Sequence, residues 1–100
     1  MPGFVQIMEF DTSKIEEVDA LSRQLQEEQG DALLARRGTM TADRERAGHY
    51  YLIVEFDSYE EAMRNSEDPV TGKYSAKMGE LLDGPVTFHN LDVVSVMEVR

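Results

Sequence analysis

The segment Phe4 to Phe10 is dense in β-branched and aromatic residues and predicts a strand. Asp11-Thr12-Ser13 ends it. Ser13 followed by Glu16 has the spacing of a capping box, in which the hydroxyl takes a free backbone N–H and the carboxylate reaches back to another. Ile15, Val18, Leu21 and Leu25 then recur at helical spacing, while Glu16, Glu17, Asp19, Glu27 and Glu28 fall on the outer face. Gly30 is placed to stop this helix. Two extended segments follow, Ala32 to Thr41 and Tyr50 to Phe56, joined by the polar stretch Ala42 to Gly48 as a hairpin loop. Ser58 with Glu61 repeats the capping-box spacing, and Tyr59, Ala62, Met63 and Ser66 line the inner face of a short helix. Asp68-Pro69 breaks it, because proline disfavours helical backbone in the residue before it. Proline also suits the first position of a new helix, with Asp68 as its cap. Tyr74, Met78, Leu81 and Leu82 form the next inner stripe, up to Gly84-Pro85. Phe88 to Val99 predicts a long final strand.

The order strand, helix, strand, strand, helix, strand is the split βαβ arrangement. It predicts an α+β, ferredoxin-like βαββαβ domain over residues 1–100, with both helices on one face of a four-stranded antiparallel sheet. Side chains alternate between faces along a strand, so the uncovered face should be polar. It is not. Tyr51 and Ile53 oppose Tyr50, Leu52, Val54 and Phe56; Val5 and Ile7 oppose Phe4, Met8 and Phe10; both sets are apolar. A second copy of the same sheet is the simplest cover, which predicts a homodimer through the sheet face.

Composition narrows the function classes. The chain has no cysteine, which excludes disulfides, thiolate metal sites and cysteine nucleophiles. Its formal net charge of −10 opposes binding to nucleic acid or anionic membranes. No apolar run approaches a membrane span, and the first residues lack the pattern of a signal peptide, so a cytoplasmic location is expected. Arg36, Arg37, Arg44 and Arg46 cluster, either as a solvated hairpin or as a docking patch for an anion or an acidic partner subunit. Neither a glycine-rich phosphate loop nor a Gly-x-Ser-x-Gly elbow is present.

Glu55-Phe56-Asp57-Ser58-Tyr59-Glu60-Glu61-Ala62-Met63-Arg64-Asn65-Ser66, with Pro69 following, resembles the strand-to-helix segment of the antibiotic biosynthesis monooxygenase-like proteins. So does Phe88-His89-Asn90-Leu91-Asp92-Val93-Val94. The resemblance implies the dimeric α+β barrel superfamily, with a pocket in each subunit between helices and sheet. It also implies activities such as cofactor-free oxygenation of polycyclic aromatic phenols, haem degradation or isomerisation. In the oxygenases an apolar pocket holds a phenol whose anion reacts with dioxygen, and Asn, Trp, Tyr, His or Arg stabilises that anion. This chain has no tryptophan, where several characterised oxygenases and haem degraders share one.

The residues left for that work are Asn65, Tyr74 and His89 as catalytic groups, with Tyr51, Arg36 and Met63 around a substrate. Each has a structural reading beside it. Asn65 stands where a helix-end cap would, Tyr74 lies on a core stripe, and His89 shares a strand face with Leu91 and Val93. An imidazole is the side-chain type best suited to proton transfer near neutral pH. His49 falls where a loop enters a strand and is expected at the surface. The two histidines lie forty positions apart with no carboxylates at ligand spacing, so no metal site is expected. The methionines read as core filler that also suits an adaptable pocket. The expectation is a pocket protein acting without a cofactor on an aromatic or polyketide-like small molecule. A non-catalytic dimeric binding or accessory protein is the alternative, and haem degradation ranks last.

Overall fold

A computed structural model of the protein describes residues 3–99. Strand β1 is Phe4–Asp11, helix α1 Ile15–Gln29, strand β2 Arg37–Ala42 and strand β3 His49–Phe56. Helices α2 (Tyr59–Glu67) and α3 (Pro69–Gly79) and strand β4 (Thr87–Asp92) complete the chain. The strands form one sheet in the order β2-β3-β1-β4, with every neighbouring pair antiparallel. This is the expected ferredoxin-like α+β arrangement, its second helix split in two. Among the described residues no helix is long and apolar enough to cross a membrane.

The caps explain the split. Ser58 Oγ accepts the Glu61 N–H at 3.1 Å and starts α2. Asp68 stands in extended backbone, where α2 cannot continue, and its Oδ1 accepts the Val70 N–H at 2.8 Å to start α3 with Pro69 at the first position. At the end of α1, Gly30 adopts φ 51°, a left-handed conformation that costs glycine little. Gly48 does the same at φ 80° where the hairpin turns into β3.

Phe4, Phe10 and Val18 are fully buried, and Phe4, Phe56 and Ala62 form a core cluster packed by Leu34, Ala35, Val54 and Met63. Burying side chains of this size stabilises by roughly 1.5–3 kcal/mol each. The cluster shows which sheet face the helices cover: the one carrying Phe4, Gln6, Met8 and Phe10, with their cross-strand partners Phe56, Val54, Leu52 and Tyr50. The other face, with Val5, Ile7, Ile53 and Leu91, has no helix over it.

Four local expectations are corrected. The Ser13–Glu16 capping box does not form. Instead Thr12, 2% exposed, takes the Lys14 N–H at 3.0 Å and donates its own hydroxyl to the Leu81 carbonyl at 2.7 Å. The extended segment from Ala32 is delayed: Gly30–Ala32 makes a 3₁₀ turn, and strand pairing begins at Arg37. Helix α3 ends at Gly79, so Leu81 and Leu82 lie in the turn after it. The final strand stops at Asp92 instead of Val99. Phe4 pairs with Asp92, and the Val93 N–H still reaches the Gly3 carbonyl at 3.0 Å. Beyond that, the described residues offer no neighbouring strand to continue the ladder, and Val94, Met97 and Val99 stand 96%, 83% and 79% exposed.

Candidate functional site

Register builds one cluster on the open face. Glu9 of β1 lies opposite Tyr51 of β3 and Thr87 of β4. Long side chains also reach diagonal neighbours two residues along the adjacent strand. His49 and His89 are those diagonals, one from each flanking strand. His49 Nε2 donates to Glu9 Oε2 at 2.7 Å, and its Nδ1 faces Asp11 Oδ1 at 2.7 Å. His89 Nε2 donates to the other Glu9 oxygen at 3.0 Å. The His49 ring has a carboxylate oxygen within hydrogen-bond distance of each nitrogen, an arrangement that favours the imidazolium form.

The electrostatics agree with the geometry. Hydrogen bonds to Asp11 and then Glu9 hold the His49 pKa above the ordinary histidine value, against the effects of burial and of Arg46. Hydrogen bonds from His89 and then His49 hold Glu9 below the usual carboxylate range. Tyr51 packs edge-on against the His49 ring at 5.2 Å, and its hydroxyl faces Asp43 at 3.4 Å. Burial first, and then the charges of Glu9 and Asp43, push the phenol up. Among the described residues no group of three or more His, Asp or Glu side chains is placed to hold a metal ion.

A second candidate region lies on the helix-facing side of β1 and β4. Gln6 pairs with Asn90 and Met8 with Phe88 across the strands. The Gln6 Nε2 donates to Asn90 Oδ1 at 3.0 Å. All of β4 is exposed, Phe88 by 56%, because the helix layer does not extend over it. The result is a neutral amide pair on an apolar, half-open floor. Ala62 packs on Phe4, and Tyr59 meets Phe4 edge-on at 5.4 Å. Asn65 follows Ala62 by three residues, on the same side of α2 and over the same sheet face as the amide pair.

The sequence-expected residues therefore divide. Asn65 is half-buried; its carbonyl accepts the Asp68 N–H at 3.3 Å, and its side chain has no hydrogen-bond partner among the described residues. Met63 packs on the Phe4–Phe56–Ala62 cluster. Tyr74 is buried and donates its hydroxyl to Glu28 at 2.8 Å, tying α3 to α1, with the Lys73 and Lys77 ammonium groups 5.1 and 5.4 Å from its ring. His89 and Tyr51 lie on the opposite face of the sheet from Asn65. Arg36 pairs with Asp57 through Nε at 2.8 Å. Arg37 and Arg46 pair with Glu55 and Asp11 at 3.7 and 3.8 Å, so most of the basic cluster is spent on neighbours within the chain. His49, expected at the surface, is 5% exposed, because the flanking carboxylates draw it into the sheet.

Glu9, Asp11, Gln6 and Asn90 were not singled out by sequence. A faint signal existed: Glu9 and Gln6 are polar residues inside an otherwise apolar strand. Which distant residues they would meet depends on the strand order.

No family model matches the sequence, and no match is found among curated proteins. Solved structures do match. SnoaB, a cofactor-independent oxygenase from Streptomyces nogalater, superposes with a TM-score of 0.79 at 10% identity, covering 97% of this chain and 98% of its own. An antibiotic biosynthesis monooxygenase superposes at 0.71 with 17% identity, over 92% of this chain and 99% of its own. A conserved protein from Methanosarcina mazei Go1 gives 0.77 at 13% identity, over 92% and 93%. Over nearly its whole length, the chain has the ferredoxin-like α+β fold of the antibiotic biosynthesis monooxygenase-like structures.

Proposed function

We propose that the protein is a cofactor-independent oxygenase that works as a homodimer on a small aromatic phenol. The observation that carries this reading is the half-open floor on the helix side of the sheet. There Met8 and Phe88 flank the Gln6–Asn90 amide pair, and Asn65 belongs to the helix layer that packs on the same face of the sheet. Apolar walls with a few neutral polar groups suit a planar aromatic carrying one or two oxygens. The shared fold with SnoaB supports the reaction class.

The chemistry asks little of the protein. The bound phenol gives a proton to water, the resulting electron-rich carbon attacks dioxygen, and the peroxide formed takes a proton back from water. The hydroperoxide then loses water to leave a quinone. One phenol and one dioxygen enter; one quinone and one water leave. The amide N–H groups of Asn65 and Asn90 hold the phenolate oxygen as charge builds there, which lowers the barrier.

The dimer forms through the open sheet face. Val5, Ile7, Ile53 and Leu91, with the exposed Val94, Met97 and Val99 after β4, leave apolar side chains toward solvent that a second copy would cover. Light scattering should give twice the 11.4 kDa chain mass, and a monomer at micromolar concentration would overturn this part.

The activity test is oxygen uptake with an anthrone-type phenol in aerobic buffer. Turnover should fall at least about tenfold in Asn65→Ala, since one well-placed donor is worth that much or more. An unchanged thermal melt would show that the variant is folded. Uptake no faster than buffer alone would refute the proposal.

A further inference from the structure

The open face differs from the rest of the molecule in charge. The chain carries −10 overall, so most of its surface repels a second copy. On the open face Glu9 and Asp11 meet His49, His89 and Arg46 within hydrogen-bonded or ion-paired contacts, and the Asp43 carboxylate faces the Tyr51 hydroxyl. Loss of the His49 proton adds one negative charge per copy in the middle of this face. A face of mixed, nearly balanced charge on an otherwise acidic chain suits a second copy of itself.

We infer that pairing of the two open faces is gated by pH through His49 and its carboxylate partners Glu9 and Asp11, closing when the imidazole is protonated and opening when it loses its proton. The inference rests on the homodimer proposed above. Covering the face removes water from Glu9 and Asp11, and a carboxylate without water needs its imidazolium. Without that partner, Glu9 and Asp11 remain close together at the interface as like charges. A two-fold interface applies the effect twice, once per copy.

Every charged or titratable group facing the two rings works in this scheme. From β1, Glu9 and Asp11 favour the charged form of His49, and Glu9 also accepts from His89 Nε2 at 3.0 Å. From the hairpin, Arg46 stands 3.4 Å from His49 Nε2 and opposes its charge. Tyr51, beside His49 on β3, stays neutral, with Asp43 at its hydroxyl. The carboxylate contacts hold the His49 pKa above the ordinary histidine value, so opening falls on the alkaline side of that value.

Sedimentation equilibrium from pH 6 to pH 9 tests the device. The dimer dissociation constant should rise roughly a hundredfold, about tenfold per copy for each unit by which pairing raises the His49 pKa. Glu9→Gln should move the transition to lower pH, because His49 then keeps only Asp11 as a carboxylate partner. His49→Gln should give a weak dimer whose affinity no longer changes over this range. If that variant unfolds, the wild-type imidazole titration followed by NMR replaces it: the His49 midpoint should rise with protein concentration. A dimer whose affinity is flat with pH would overturn the gate and leave the dimer standing. A monomer at every pH would overturn both.

Discussion

Thr12 carries more of the fold than its place in a turn suggests. It is 2% exposed, donates to the Leu81 carbonyl at 2.7 Å and accepts the Lys14 N–H at 3.0 Å. One hydroxyl thus fixes the approach to α1 and pins the turn after α3 against the end of β1. Thr12→Val preserves the branched shape and removes both bonds. The Lys14 N–H is near solvent and finds water. The half-buried Leu81 carbonyl loses its donor, which costs about 1–3 kcal/mol, and the second bond adds about 0.5–1 kcal/mol. The expected loss is roughly 2–3 kcal/mol, a fall in melting temperature of about 10–20 °C for a domain of this size. Ser13→Ala, at the residue the capping-box spacing points to, should change stability by less than about 0.5 kcal/mol. Urea denaturation followed by circular dichroism measures both, at one fixed protein concentration because self-association adds to apparent stability. A Thr12→Val variant as stable as wild type, or a Ser13→Ala variant that loses as much as Thr12→Val, would refute the assignment.

Two further outcomes follow from the core and the ion pairs. Val18→Ala, at a position with no exposure, should cost about 2 kcal/mol from lost burial and the cavity left under α1, read from the same denaturation curves. Melting temperature against pH should rise from acid, reach a plateau and fall again. Glu9, Glu28 and Asp57 have folded pKa values held low by His89, Lys73 and Arg36 respectively, so their stabilisation is complete above the ordinary carboxylate range and disappears as pH falls through the lowered values. The His49 pKa is held high, so its stabilisation is complete below the ordinary histidine value and is lost as pH rises through the raised one. A melting temperature that keeps rising between pH 6 and pH 9 would contradict the charged state assigned to His49.

The sequence by itself determined the order of elements, because that information is local. Ser58 and Asp68-Pro69 set their helix starts through backbone groups a few residues away, and Gly30 stops α1 because it adopts a positive φ cheaply. The apolar character of both sheet faces was equally legible, since alternation along a strand needs no knowledge of its neighbours. Three things required the tertiary structure. The length of the last strand depended on where β1 stops offering partners, so a run of β-forming residues to Val99 pairs only to Asp92. The capping of α1 depended on Leu81, sixty-nine positions from Thr12, which turned the hydroxyl at Thr12 rather than Ser13 inward. The meeting of Glu9 with His49 and His89 depended on β1 lying between β3 and β4. Spacings of forty and eighty residues carry no periodic signal; only the strand order converts them into hydrogen bonds of 2.7 and 3.0 Å.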